Sequence, residues 1–472
     1  MTGVFLHLQE VISMFPIKAI HTPTVKASVI LTVLIVVMIS SSIVVFESVP
    51  HVPILFAILL LFGYGLWKKI SYRELERGLV EGASSGMSAV FLFFFIGVLV
   101  SSWMMGGTIP TLIYAGLQII TPTFFYAIVF IVTAIIGLSV GSSLTTVATI
   151  GVAFISMAHI LELSLPIAAG AIVSGAFFGD KMSPLSDTTN LASSIVGVDL
   201  FEHIRNMGWT TFPAFFISLI LFGVLSPNVT SSDFTTIEKY SDALMGTNLI
   251  HWYTLIPVVV LFILTFVKVP AILTLAVSAL SAIVIAYIHT FYGVSEVLSI
   301  LFSGYEGSTG VAVVDELLSR SDGMEGMMFT ISLVLLALSM GGMLFTLGIV
   351  QCLLAKIESV LRKVSSVILT SALTAIGINV LIGEQYLSIL LTGQAFQSSY
   401  EKVGLANKNL SRVMEDAGTV INPLVPWSVA GIFITTVLDV PTIAYLPFAF
   451  FCLLSPILTV LFGYLGKTLT RI

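Results

Sequence analysis

Long apolar runs separated by short polar intervals dominate the chain. Stretches free of Asp, Glu, Lys and Arg cover 27–46, 48–67, 82–161, 206–232, 243–267, 269–295, 326–355, 364–383, 417–438 and 440–466. A helix needs roughly 20 apolar residues to cross the hydrocarbon core, so each run can hold one crossing and 82–161 several. The pattern predicts an all-α polytopic membrane protein with about 10 to 14 membrane segments. Helices are the expected form because lipid offers backbone groups no partner. The polar intervals 68–81, 227–242, 303–325 and 401–416 are too short for a separate soluble domain. The apolar stretch Val4–Phe15 is short, carries His7, Gln9 and Glu10, and precedes no small-residue cleavage site. The first span, near Lys26–Phe46, is therefore the expected insertion signal.

Composition sharpens this picture. Of 472 residues, 57% are hydrophobic and 9% charged, and the mean hydropathy is +1.08. Soluble domains carry about 25% charged residues, so a water-soluble globule is excluded, and so is disorder. The net charge of −6 comes without a basic block, which leaves nucleic acid no electrostatic footprint. Cys352 and Cys452 lie in or beside apolar sequence and suggest neither a disulfide framework nor a thiolate metal site. No HExxH or phosphate-binding loop is present, so a membrane-embedded enzyme is not expected.

Short-loop Lys and Arg set orientation. Lys68, Lys69, Arg73 and Arg77 form one basic loop, Lys356, Arg362 and Lys363 a second, and Lys402, Lys408 and Arg412 a third. Together with Lys18, Lys26, Lys467 and Arg471 they place both termini in the cytoplasm. The acidic stretches 227–242 and 311–325 then face outward.

The chain also repeats itself. LVEGASSG (79–86) matches SGYEGSTG (303–310), TAIIGLSVGSSLTTVATIGVAF (133–154) matches TAIGINVLIGEQYLSILLTGQAF (374–396), and MSPLSDTTNLA (182–192) matches INPLVPWSVAG (421–431). Loop charges flip between the halves: the basic loop at 68–77 corresponds to a region around 290–302 with Glu296 alone. This predicts an N-terminal cytoplasmic segment (1–25) and two inverted-topology repeats, 26–240 and 250–472. Such repeats suit a transporter that alternates between two faces, with cargo near the midplane where broken helices line a cavity.

Charged residues inside the membrane are candidates for function by default. The densest group is AAGAIVSGAFFGDKMSPLSDTTNLASSIV (168–196), with Asp180, Lys181, Pro184, Asp187 and Asn190 at its centre. Gly179 and Pro184 predict a helix broken near 179–186. Asp180, Asp187, freed carbonyls and the neutral oxygens of Ser183, Ser186, Thr188 and Asn190 suit a hard cation. Lys181 is a charge partner for one of the acids. In the other half Asn422, Pro423 and Pro426 break a helix without acids at the matching positions. Glu415 and Asp416 fit either the site or the solvated end of a loop. A second matched pair, SVGSSLTT (139–146) and LIGEQYLS (381–388), forms Gly-centred polar islands that read as re-entrant hairpin tips or unwound helix. They add Ser142, Ser143, Thr145 and Glu384, with Glu384 a second proton-carrying candidate. Glu81 and Glu306 read as helix-start acids. His159 reads as interfacial, and Met104, Met105, Met327 and Met328 as packing.

GAFFGDKMSPLSDTTNLA, with EGASSGM, WMMGGTIPTLIYAGL and GSSLTTVATIGVAF, resembles the NhaC-type Na+/H+ antiporters of the ion-transporter superfamily. The resemblance covers nearly the whole chain. It implies bacterial inner-membrane exchange of Na+ for H+, inverted repeats, re-entrant hairpins and often homodimers. Some relatives exchange malate for lactate coupled to H+ and Na+. Relatives commonly have a Trp-Gly-Thr-like turn where this chain has Leu144-Thr145-Thr146, a departure that bears on the substrate if that turn lines the site.

The expected activity is Na+/H+ antiport by competition of the two ions for one carboxylate, Asp187 or Asp180, with Na+ held by Asp187, Asn190 and Ser142. Na+ is here cargo, and no cofactor is expected. The alternative is an organic-anion or amino-acid antiporter, whose cargo half-helix N-termini can hold without Arg, with Thr145, Asn379 and Asn422 as further polar groups. A channel needs rings of like residues, and the acids here are placed singly.

Overall fold

The computed structural model describes residues 19–46, 48–119, 123–227, 240–307, 314–315, 318–319, 322–358 and 363–472. Most of the N-terminal segment, Arg362, and most of the two acidic stretches lie outside the described residues. Among the described residues the fold is all-helical, with an isolated bridge between Leu405 and Arg471.

Among the described residues, seven helices are long and apolar enough to cross a membrane, or nine if two bent pairs each count as one span. Shorter apolar helices such as His51–Trp67 and Phe125–Val140 bring the number into the range set by the apolar runs. The first span, α1 (Val25–Val44), keeps only 22% of its apolar window buried, whereas Gly323–Thr346 keeps 72% and Ser143–Ile160 83%. The first reads as a lipid-facing helix and the other two as the interior of the bundle. α2 (His51–Trp67) packs beside α1.

The polar interval 68–81 is not an irregular loop. It forms most of α3 (Tyr72–Ser85), started by a capping box in which Ser71 and Glu74 satisfy each other's ends. Gly78 and Gly82 of α3 lie against Gly342 and Thr346 of the Gly323–Thr346 helix. Glu81 sits near the end of α3, beside Arg77 at 3.8 Å, and Glu306 lies in the loop after Val294–Ser303. Glu81 is therefore not a helix-start acid, and the residues that follow Gly307 lie outside the described ones. Met104, Met105 and Met327 pack in the core, while Met328 is exposed.

The helices that carry the site come in two sets. In the first half they are α4 (Met87–Met105), α5 (Thr108–Ile119), α6 (Phe125–Val140), α7 (Ser143–Ile160), α8 (Leu165–Met182), α9 (Asp187–Ile195) and α10 (Leu200–Leu225). In the second half, α11 (Val364–Ile382) and α12 (Gln385–Lys402) are followed by α13 (Asn407–Met414), which runs into a π turn at Glu415–Thr419. Then come α14 (Val429–Leu438) and α15 (Phe450–Leu465). Among the described residues, α6 and α8 make the most intimate pair. A Cβ on Gly175 would stand 2.6 Å from the Phe130 carbonyl, so only glycine lets these backbones meet.

Helix boundaries in the two halves keep a constant offset. α8 and α13 start at 165 and 407, α9 and α14 at 187 and 429, each 242 positions apart. The helix breaks at Gly141 and Gly383 have the same separation. In this register Asp180 falls opposite Asn422, whereas matching MSPLSDTTNLA to INPLVPWSVAG, a pairing of loop residues, is three positions out.

Candidate functional site

Two helix breaks meet in the first half. α6 ends at Gly141, whose φ of +68° is left-handed, and Ser142 is extended before α7 begins. A side chain at 141 would be strained by that φ and would also meet Leu185. Ser142 caps α7, its hydroxyl accepting from Thr145 N at 3.3 Å. α8 runs through Gly179 to Met182, and residues 183–186 leave the helix before Ser186 caps α9. The break therefore falls within the expected 179–186 interval, at its end.

Asp180 lies at this junction and is 4% exposed. Its Oδ2 accepts from the backbone N–H of Ser143 at 3.2 Å and from the Ser143 hydroxyl at 2.7 Å. The N-terminus of α7 thus holds the carboxylate of α8, the arrangement that a helix dipole favours. The Ser186 hydroxyl also reaches Asp180 and lies 3.0 Å from Thr188 Oγ1. Carbonyls freed at the end of α8 are partly used by the protein itself: Thr189 Oγ1 donates to Lys181 O at 3.1 Å. Asn190 Nδ2 likewise donates to Pro184 O at 3.1 Å and Ser186 O at 2.7 Å. Ser183 Oγ accepts from Leu185 N.

Lys181 is fully buried and forms an ion pair with Asp416, also fully buried, from the π turn after α13. Thr210 of α10 donates to the other oxygen of Asp416 at 2.8 Å, and Lys181 stands 5.6 Å from the Phe451 ring of α15. Glu415 beside it is fully buried too. The reading of Glu415 and Asp416 as a solvated loop end is therefore overturned. The missed partner had one signal in the sequence: a lysine buried in a membrane interior needs an acid.

Asp187 occupies the first turn of α9 and is exposed, within electrostatic reach of Asp180 and of Tyr386. Glu384 is half-buried and caps α12, its Oε2 accepting from Leu387 N at 2.8 Å. Tyr386 also feels Glu384, Asp180 and Glu415, so the acids named from both halves gather around one tyrosine. Thr145 is buried, its carbonyl accepting from Thr149 Oγ1.

The second-half break is closed by amides. Asn422 Nδ2 donates to Asn379 Oδ1 at 2.8 Å and Gly383 O at 3.2 Å, while its Oδ1 accepts from Ala430 N at 2.9 Å. Asn379 Nδ2 donates to Gly418 O at 2.6 Å. His203 went unnoticed in the sequence; its Nδ1 meets Ser411 Oγ at 2.7 Å and joins α10 to α13.

The family profile described as the Na+/H+ antiporter family matches residues 175–467, which include all of these second-half groups and Asp180. The chain is 42% identical to the Na+/H+ antiporter NhaC of Alkalihalophilus pseudofirmus, covering 94% of this chain and 96% of that one. It is 33% identical to the malate-2H+/Na+-lactate antiporter of Bacillus subtilis, over 84% of this chain and 85% of that protein. It is 34% identical to the arginine/ornithine antiporter ArcD of Halobacterium salinarum, over 86% and 83%. These are transporters, not enzymes, and the match covers at least 83% of each. The protein is a multi-pass membrane antiporter and belongs to the Na+/H+ antiporter family.

Proposed function

We propose that this antiporter exchanges Na+ for H+ across a bacterial cytoplasmic membrane, with both termini in the cytoplasm. The observation that carries the reading is Asp180: a buried carboxylate seated on a helix N-terminus where two broken helices meet. Na+ is bound there by the carboxylate with the Ser186 and Thr188 hydroxyls, and a proton on Asp180 removes the charge that holds it. One carboxylate serving either ion, never both, couples the two fluxes. The matching helix boundaries of the halves support an inverted pair of units that rock around this site, giving alternating access. Asp187 and Glu384 stand nearer the surface, where they gather cations toward Asp180.

The nearby buried cations are already engaged, which favours a cation cargo over an organic anion. Lys181 is committed to Asp416, and Arg412 bonds Thr468 O at 3.1 Å and Thr468 Oγ1 at 3.2 Å. A carboxylate cargo would have to draw on the helix N-termini alone. The organic cargoes in the names of two relatives keep that second reading in view.

The test is a pH gradient in proteoliposomes containing only this protein. Collapse on addition of Na+, and not of choline, supports the reading. No response to Na+, with collapse on malate, lactate or arginine, replaces it with the organic-cargo alternative.

A further inference from the structure

The extended segment after α15 has no part in the cycle proposed above, yet it is bonded to the helix that leads to Asp416. Residues 467–472 lie across the start of α13 and the turn before it. Leu405 and Arg471 form an antiparallel bridge. Ala406 N donates to Thr470 O at 3.0 Å and Ile472 N to Gly404 O at 3.1 Å. The Asn409 side chain also grips Thr470: its Nδ2 donates to Thr470 O at 2.7 Å and its Oδ1 accepts from Thr470 N at 3.1 Å. Leu469 packs against the apolar cluster that holds Leu405 and Leu410. The segment is thus held mainly through its backbone, as an added β-strand is.

This strap carries strain. Thr468 has a left-handed φ of +58°, which a β-branched residue adopts only when its surroundings impose it. Arg412 imposes it: its Nη1 donates to Thr468 O at 3.1 Å and to Thr468 Oγ1 at 3.2 Å. Arg412 is 1% exposed, and its Nε has no partner among the described residues. Asp416 lies four positions on, within electrostatic reach of the guanidinium. α13 is also bonded to the first half. Lys408 pairs with Glu202 at 2.7 Å, Asn206 Nδ2 donates to Lys408 O at 2.7 Å, and His203 meets Ser411. When the halves move past each other, α13 must let go of one side. The contacts to the first half continue into the buried Lys181–Asp416 pair, which is costly to break. The strap is half-exposed and strained, so it is the side that yields.

We infer that residues 467–472 are a detachable latch that releases α13 in each transport cycle. The inference rests on the alternating-access part of the reading above and not on the cargo. Docked, the latch occupies Arg412 and leaves Asp416 to Lys181. Released, it frees the guanidinium to compete with Lys181 for Asp416. A movement at the end of the bundle is thereby passed to the ion pair beside Asp180.

The test locks the latch. Leu405→Cys with Arg471→Cys puts two thiols on directly opposed residues of an antiparallel bridge, within disulfide reach. Exchange is read in proteoliposomes as proton movement driven by Na+. The reduced double variant is expected to exchange at close to the wild-type rate. Oxidation is expected to slow it about tenfold or more, and dithiothreitol to restore it. The single-Cys variants, oxidised in parallel, control for Cys352 and Cys452. Full exchange in the oxidised double variant overturns the inference and makes the strap a permanent brace. Hydrogen exchange on the wild type tests the same point without a substitution. The amides of Thr470 and Ile472 are expected to lose protection during turnover while those of α13 keep theirs. Protection that turnover leaves unchanged overturns the inference. Thr470→Pro deletes the N–H that Asn409 holds, and is expected to expose the Ile472 amide before turnover and to keep exchange. Loss of exchange in Thr470→Pro but not in Thr470→Ala overturns the inference as well. A wild type that ignores Na+ removes the cargo reading instead, and the latch is then tested with malate, lactate or arginine, so the two failures are distinguishable.

Discussion

The two helix breaks of this protein share a plan and differ in charge. At each, a helix ends on a left-handed glycine, Gly141 or Gly383, and an extended residue with an oxygen side chain caps the next helix. At each, a second broken helix restarts behind a serine cap, Ser186 or Ser428. The first places Asp180 at the crossing, held by Ser143. The second places Asn422 there, with both ends of its amide bonded to Asn379, Gly383 and Ala430. A neutral amide with its bonds satisfied locks a crossing. A buried carboxylate needs a compensating charge, and that need is what a cation or a proton can fill. On the proposed reading, one break is rigid and the other takes up the ion.

Exchanging the two chemistries tests this contrast most severely. Asp180→Asn makes the first crossing a copy of the second and is expected to reduce Na+-driven proton movement to the level of empty liposomes. Retained folding, checked by gel filtration in detergent, separates this from collapse. An active Asp180→Asn protein breaks the comparison.

The ion pair that ties the breaks together comes next. Lys181→Met or Asp416→Asn alone strands a buried charge and should cost about 3–5 kcal/mol. The double variant should recover part of that loss, because it strands none. Thermal unfolding in detergent, read as a double-mutant cycle, measures the coupling.

The locked crossing should respond in stability more than in transport. Asn379→Ala removes the acceptor for Asn422 and the donor to Gly418 and is expected to lower stability by about 1–3 kcal/mol. Na+/H+ stoichiometry should stay at the wild-type value. A changed stoichiometry would mean that the amide network also handles protons.

Asp187→Asn is expected to have the smallest effect, raising the half-saturating Na+ concentration several-fold without abolishing exchange, since Asp187 is exposed and acts on Asp180 through space. Complete loss of exchange would move the ion site outward from Asp180 to Asp187.

Much of this was legible in the order of residues. Apolar runs longer than a bilayer announce spans, because each helix must meet lipid along its own length. The Gly-centred islands and the Pro184 break were visible for the same local reason: glycine and proline act on their own backbone. Asp180, Ser142, Ser143 and Glu384 were singled out as polar side chains in apolar sequence, and the structure brings all four to the two breaks.

Other features needed the fold. Asp180 and Asp187 stand seven positions apart across a break, so helical periodicity cannot say which faces inward; packing buries Asp180 and leaves Asp187 exposed. The Lys181–Asp416 pair joins residues 235 positions apart, and no local pattern encodes a partner at that distance. Glu415 and Asp416 look like the edge of a polar loop until the π turn carries them inside. The sequence by itself determined the helices, their breaks and the chemical types available at them. The tertiary structure alone decided which acids are buried and which of them pairs with Lys181. The physical reason is range: backbone preference and hydrophobic periodicity act over a few residues, while desolvation and charge pairing act between whatever chain segments packing brings together.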